Sequence, residues 1–471
     1  MVNWKYVGFL LVIFVCTGGC VNSIITEERG EQANAAGIST PLQSSDAKIS
    51  RNLDEYMTAL TDAGRFSGTV HVMRGDTVLL SKGYGMANHE FAVPNTPQTV
   101  FPIASNTKQL TASAIMKLQE QGKLNITDPV MKYIPSATNW KDIRIYHLLG
   151  HTSGIPSDGG FLMTDPVTLS LPEIIDKVSV LPLSFPPGSD YSYSNNGYIT
   201  LSYIIERASG MPYEEYMKKD LFQPLGMNST GQDNARDVFT NRSSGYTTMD
   251  GKYIHYDLQN IHNTYGAGCM HSTTGDMFLW TRAFNTPGAI LTQESTEVMI
   301  ENHYGINVNV VNNLTMISHS GRNFGFISQT FSIPEDKVSI IFLSNYDRTP
   351  SGTLTKDLAN IVYNKPYSLP ERIDRKAIPL KTEDIAEYTG IYEPAWEKSW
   401  TFTVYTAGNR LFYNSVMPRE TVELFYEGND TFFITPESND ALIFTRDTRG
   451  NVIGLKMYTL EGNIDDLVKV V

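Results

Sequence analysis

Two runs of alternating apolar and polar residues, spanning 66–84, meet at Arg74-Gly75-Asp76 and predict a β-hairpin. The Arg-Gly-Asp triplet reads as its turn. Leu110, Ile115, Met116 and Leu118 form one broad stripe, which predicts a helix over 105–121 stopped by Gly122. Residues 141–180 carry shorter helical pieces broken by Gly and Pro, and 196–208 and 213–222 read as helices flanking Gly210-Met211-Pro212. Strand patterns return at 313–319, 324–333 and 337–344. Strands at both ends with helices between them predict an α/β (α+β) domain. Its first and last strands share a sheet, and a helical lobe is inserted between them. Past residue 365 the pattern changes. Pro366, Pro370 and Pro379 mark a connector, and 382–388 reads as one short helix. Short alternating runs at 400–406, 410–416, 421–426, 431–435, 441–446 and 452–459 then predict a small antiparallel barrel or meander.

The amino terminus stands apart from this fold. Lys5 precedes an unbroken apolar run from Val7 to Cys16. Ten residues span about 15 Å as a helix, half of the bilayer's hydrocarbon core, so the run reads as a secretory signal rather than a membrane span. It ends in Thr17-Gly18-Gly19-Cys20, which resembles a bacterial lipoprotein cleavage site. That resemblance implies a lipidated Cys20 and a protein exported to the periplasm or cell surface, tethered to a membrane. Thr17 departs from the leucine usual at its position, and an ordinary signal peptide is the alternative. The expected organisation is therefore a signal peptide at 1–20, a polar tether at 21–48, a large α/β domain at 49–365, a linker at 366–380 and a β domain at 381–471.

Composition narrows the function. The 471 residues hold 37 basic and 50 acidic side chains, a net charge of −13, with no basic run, which argues against nucleic acid as a partner. An apolar content of 41% excludes a disordered chain. Only three cysteines occur, two of them within the leader segment. No Walker or dinucleotide glycine pattern is present, so no cofactor is implied, and the missing Gly-x-Ser-x-Gly elbow disfavours an α/β-hydrolase.

The chemical signal lies in Ser105-Asn106-Thr107-Lys108, at the start of the predicted helix. An offset of three puts hydroxyl and amine on one helical face. Free backbone N–H groups there can stabilise an oxyanion, and the helix dipole and burial both disfavour a protonated lysine. Alone the pattern is weak: Ser45–Lys48 repeats it within the expected tether, and a serine at this place can simply cap the helix.

Context changes its weight. Residues 100–111, VFPIASNTKQLT, resemble the active-site segment of serine beta-lactamases and penicillin-binding proteins, closest to the class C beta-lactamase and DD-peptidase branch. Tyr193-Ser194-Asn195, after Phe185-Pro186-Pro187-Gly188, resembles that family's Tyr-x-Asn loop. His319-Ser320-Gly321 resembles its third motif. Leu148 to Gly154 (LLGHTSG), Pro224-Leu225-Gly226-Met227 and Gly266-Ala267-Gly268 match further landmarks, and the resemblance covers about residues 52–350. It implies an antiparallel sheet flanked by helices. The tail, through Tyr388-Thr389-Gly390-Ile391-Tyr392, resembles the lipocalin-like domains appended to some of these hydrolases.

The roles that follow are those of acyl transfer. Ser105 attacks, Lys108 takes its proton, and Tyr193 relays a proton to the leaving group. Asn195 holds Lys108 and the substrate amide. His319, Ser320 and Gly321 line the substrate strand, and the backbone N–H groups of Ser105 and Arg322 are the implied oxyanion hole. His319 departs from the lysine of efficient beta-lactamases, since a neutral imidazole grips a carboxylate less well, and Arg322 is a candidate to restore the charge. Cys269 stands where a glycine is usual and reads as a buried structural thiol. His147 and His151 have a spacing open to zinc, but they lack a metalloprotease glutamate, so no metal is expected. The expected activity is that of an exported serine hydrolase acting on a D-amino-acid peptide, a beta-lactam or an ester. A penicillin-binding sensor that acylates without turnover is the alternative. The sequence does not set the oligomeric state.

Overall fold

The computed structural model describes residues 44–157, 167–234, 238–249, 252–255, 260–394, 401–415, 421–434, 436, 440–458 and 464–470. The leader, Cys16, Cys20 and most of the expected tether lie outside them. The fold opens with α1 (Ser44–Asp62), which begins before the expected tether ends. The second Ser-x-x-Lys match is thus helical. Ile49, Leu53, Tyr56, Met57 and Leu60 of α1 are buried in a stripe at helical spacing, and this packing stabilises the chain from Ser44 onward.

β1 (Gly68–Arg74) and β2 (Thr77–Tyr84) form the expected hairpin. Far along the chain, β3 (Asn307–Val311), β4 (Leu314–Asn323), β5 (Phe326–Ile333) and β6 (Val338–Ser344) complete a six-stranded antiparallel sheet of order β3-β4-β5-β6-β1-β2. β1 and β6 pair from Gly68↔Ser344 to Arg74↔Val338, so the sheet closes over the long insertion between them. All seven residues of β6 are buried, which explains its apolar run Ile340-Ile341-Phe342-Leu343. Ile340 and Phe342 face α1 and α5 (Ser351–Val362), while Ile341 and Leu343 join the core of the helical lobe. That lobe includes α2 (Thr107–Glu120), α3 (Asn195–Ser209) and α4 (Thr274–Phe284). Among the described residues, no helix is long and apolar enough to cross a membrane.

The tail closes into an eight-stranded barrel: β7 (Gly390–Pro394), β8 (Phe402–Ala407), β9 (Arg410–Ser415), β10 (Thr421–Gly428), β11 (Thr431–Phe433), β12 (Ala441–Arg446), β13 (Val452–Tyr458) and β14 (Ile464–Lys469). Aromatic rings fill its interior. Tyr388 lies 4.9 Å edge-on from both Phe432 and Phe444, and Tyr392 joins the same cluster. The second half of the linker is docked on the barrel rather than loose. Arg375 donates to the Glu427 carboxylate and to the Asp440 carbonyl, and the Ile378 N–H donates to Tyr426.

Candidate active site

Ser105 sits in a single 3-10 turn, Ala104–Asn106, that feeds α2 two residues later than the sequence pattern suggests. The chain is forced into this turn. Ala104 has a φ of 46°, a left-handed value costly for a residue with a side chain, and its neighbours hold it there. The Ile103 N–H donates to Met270 at 2.8 Å, and the Ser328 hydroxyl donates to the Ile103 carbonyl at 2.6 Å. β4 presses in beside them. A Cβ on Gly321 would lie 2.2 Å from the Ile103 carbonyl oxygen and 3.0 Å from the Ser105 nitrogen, so only glycine fits.

Buried Asn106 pins the start of α2 to the sheet. Its amide donates to Ser328 at 2.6 Å, and its Oδ1 accepts from Thr330 at 3.0 Å and Gln109 at 2.7 Å. Trp280 of α4 donates to Gln109 at 2.9 Å and closes the chain of bonds.

Lys108 is fully buried one turn after Ser105. Its Nζ lies 2.8 Å from Asn195 Oδ1, 2.6 Å from the Ala267 carbonyl and 3.1 Å from Ser105 Oγ. The first two oxygens can only accept, so they engage two hydrogens on Nζ. The third position faces Ser105. In the ammonium it carries a hydrogen; in the neutral amine it carries the lone pair, aimed at the serine hydroxyl. This geometry suits a base. The Tyr193 ring covers the same amine, with Nζ 4.7 Å from its centroid.

Tyr193 rides on a loop whose support is the turn His151-Thr152-Ser153-Gly154. Gly188 donates to Thr152, Ser184 to Gly154 and Ser192 to His151 through backbone bonds of 2.8–3.0 Å. The His151 ring is buried and stacked on Tyr193 at 4.5 Å, and its Nδ1 accepts the Ser194 N–H at 3.1 Å. Ser194 in turn caps α3 by accepting the Gly197 N–H, which sets Asn195 at the first turn, opposite Lys108.

On β4, buried His319 and Gly321 alternate with partly exposed Ser320 and Arg322. His319 Nδ1 lies 2.7 Å from the Ser320 carbonyl, which can only accept, so the proton sits on Nδ1 and Nε2 is an acceptor. Burial, and then the charge of Lys108, push its pKa down to about 4. The same causes, in the same order, hold His151 well below the usual histidine range. The site thus contains one amine between two neutral imidazoles. The Arg322 side chain, the candidate to restore a positive charge, has a partner on a neighbouring segment. Its guanidinium donates to the Asp347 carbonyl at 2.5 Å and ties β4 to the loop after β6.

The Beta-lactamase family model matches residues 49–363, two thirds of the chain. The chain belongs to that family. Penicillin-binding protein 4* of Bacillus subtilis is 28% identical over 82% of this chain and 91% of its own length. A penicillin-binding protein homologue from Pyrococcus abyssi, described as octameric, shares the fold with a TM-score of 0.60 at 24% identity. That match covers 89% of this chain and 99% of the other. The D-amino acid amidase of Ochrobactrum anthropi SV3 also has this fold, with a TM-score of 0.60 at 21% identity over 66% of this chain and 99% of the amidase. The protein is a serine hydrolase of the beta-lactamase family.

Within this beta-lactamase-family enzyme, Ser105, Lys108, Tyr193 and Asn195 come together as the motifs suggest, and His319 reaches the same pocket. Cys269 is buried, and its thiol is pushed up by burial and by nearby carboxylates, so it is a structural thiol. His147 accepts the Arg144 N–H at 3.1 Å in a helix cap. The sequence reading missed the part played by Ala267, whose carbonyl orients Lys108, and by His151, which it took as a landmark. The signal for His151 was present in its position directly after Leu149-Gly150, but nothing local ties it to Tyr193.

Proposed function

We propose that this chain is an exported hydrolase acting on D-amino-acid-containing peptides or amides through an acyl-enzyme on Ser105. The observation that carries the reading is the closed contact of Lys108 Nζ with Ser105 Oγ and Asn195 Oδ1. In this reaction the Ser105 oxygen bonds to the substrate carbonyl carbon and its proton passes to Lys108. The carbonyl oxygen becomes an oxyanion, which the N–H groups of Ser105 and Arg322 stabilise. The C–N bond then breaks, and the leaving amine takes a proton through Tyr193. Water attacks the acyl carbon, releases the acid and returns the proton to Ser105.

His319 supports this choice of substrate class. A neutral imidazole with an accepting Nε2 offers hydrogen bonding but no cation, so it favours substrates recognised without a carboxylate clamp, amides and small esters among them. The names carried by the relatives, a penicillin-binding protein and a D-amino acid amidase, support the amide reading. Small esters are the second reading, supported by the same neutral histidine. The leader and Cys20 support a lipid-anchored protein outside the cytoplasm.

The test is incubation of the purified protein with a fluorescent penicillin, D-amino acid amides, D-Ala-D-Ala peptides and short-chain esters, followed by intact mass. A Ser105 adduct that turns over, and that Ser105→Ala abolishes, is expected. An adduct that never hydrolyses favours a sensor, and no adduct with any reagent rejects the enzyme mechanism. Membrane partitioning that survives Cys20→Ser rejects the lipid anchor.

A further inference from the structure

We infer that His151 is a positioning residue for the acylation step: it holds Tyr193 over Lys108 through a stacked ring and a side-chain bond to the backbone of the Tyr-x-Asn loop. Three observations meet at this residue. Its ring lies 4.5 Å from the Tyr193 ring at an interplanar angle of 29°, a stacked pair. Tyr193 also meets Lys108, whose Nζ is 4.7 Å from the Tyr193 centroid, so the phenol ring contacts both the imidazole and the amine. His151 Nδ1 also accepts from Ser194 N–H, the residue between Tyr193 and Asn195. One side chain therefore fixes the phenol and the peptide that joins the two other loop residues of the site.

The rest of the turn is built for this. His151 adopts a left-handed φ of 57°, and the Ser192 N–H donates to its carbonyl. Gly154 has a φ of 75°, and a Cβ there would lie 2.1 Å from the Phe185 carbonyl, so the turn packs directly on the start of the loop. Tyr198 of α3 lies 5.0 Å from the imidazole and packs it from another direction. An imidazole so held has one hydrogen-bonding arrangement. Nδ1 must accept, because the backbone N–H can only donate, so the ring is the Nε2–H tautomer. A side chain lacking that acceptor takes from the buried Ser194 N–H the bond that His151 supplies.

The inference rests on Ser105 being the acylated residue, and the experiment separates the two. Acylation of Ser105 by phenyl acetate is followed by intact mass in wild type, His151→Ala, Tyr193→Phe and the double variant. His151→Ala is expected to slow maximal acylation on the order of 10- to 100-fold, the scale of a misplaced catalytic group, with KM changed less than about threefold. In the Tyr193→Phe background the same change should cost less than about threefold, because the group it positions is already disabled. His151→Asn, which tolerates the left-handed backbone and keeps an acceptor for the Ser194 N–H, should recover part of the loss. It also completes the cycle if His151→Ala does not fold. Losses that multiply across the two sites, a Tyr193→Phe protein with the wild-type rate, or an effect confined to KM would each overturn the positioning role. Wild-type protein that phenyl acetate never acylates would instead reject the Ser105 mechanism on which the role depends.

Discussion

At the scale of single residues, the site is defined by where charge is absent as much as by where it is present. Lys108 spends its buried bonds on Asn195 and Ala267, and the two imidazoles beside it are neutral at physiological pH. His319 therefore cannot act as the fixed cation that a lysine supplies at its position. His319→Lys should raise the ratio of kcat/KM for a carboxylate-bearing substrate over its uncharged amide by about tenfold, the weight of one charge-assisted hydrogen bond. The ratio is the proper readout, because a lysine at 319 also shifts the protonation of Lys108 and so changes the absolute rates on both substrates. A ratio that does not move would separate His319 from substrate choice. Arg322 illustrates the opposite lesson. Sequence position put a cation beside the third motif, and one edge of its guanidinium is held by the Asp347 carbonyl, a contact between segments that no local pattern reveals.

At the scale of elements, the nucleophile is placed by a junction rather than by a helix alone. Ser105 precedes α2, and Asn106 joins that start to β5 through Ser328 and Thr330. Asn106→Ala would strand buried partners on both sides, so it should lower stability by about 2–3 kcal/mol in a urea melt and slow acylation with it. A loss below about 0.5 kcal/mol would mean the junction is held by packing instead. The regular elements were legible because their periodicity is strong. The hairpin at 66–84 and the runs at 313–319, 324–333 and 337–344 all appear as strands within a few residues of the expected ends. The barrel was legible as short alternating runs, but its closing strands were not. β7 carries Gly390 and Pro394 at its ends, and β14 begins Ile464-Asp465-Asp466, so neither displays a clean apolar alternation. The amino end of α1, Ser44-Ser45-Asp46-Ala47-Lys48, hid its true start, since it carries no apolar stripe and the helix is held by later residues. Within the site, the motifs named Ser105, Lys108, Tyr193 and Asn195, whereas Ala267 and His151 act through a carbonyl and a ring face that only the fold brings near.

At the scale of the whole molecule, the histidines divide the two domains by their response to acid. All nine fall between residues 71 and 319, and the barrel segment has none. Burial pushes His71, His271 and His319 down to about 4, and holds His151 well below the usual histidine range. A histidine depressed in the folded state costs nothing above its unfolded pKa of about 6.5, but the unfolded chain takes up a proton below that value while the fold refuses one. The resulting loss grows as pH falls from about 6.5 toward 4. For His319 alone it reaches roughly 3 kcal/mol by pH 4. Asp276, Asp357 and Glu206, raised by burial, act with the opposite sign: they accept protons more readily in the fold, and so offset part of the loss on the way down. In the barrel, Glu387, Glu427 and Asp430 are held below the ordinary carboxylate range by Arg446 and Arg375. Their contribution is intact above the unfolded carboxylate values and is lost only as pH falls below them. Between pH 6.5 and 5, then, the hydrolase domain should weaken while the barrel holds. Scanning calorimetry at pH 7.5 and 5.0, with hydrogen exchange of peptides from each domain to assign the transitions, should find the hydrolase transition several degrees lower and the barrel transition unmoved. A barrel that softens first, or two transitions that shift together, would show that the buried histidines do not set the acid response.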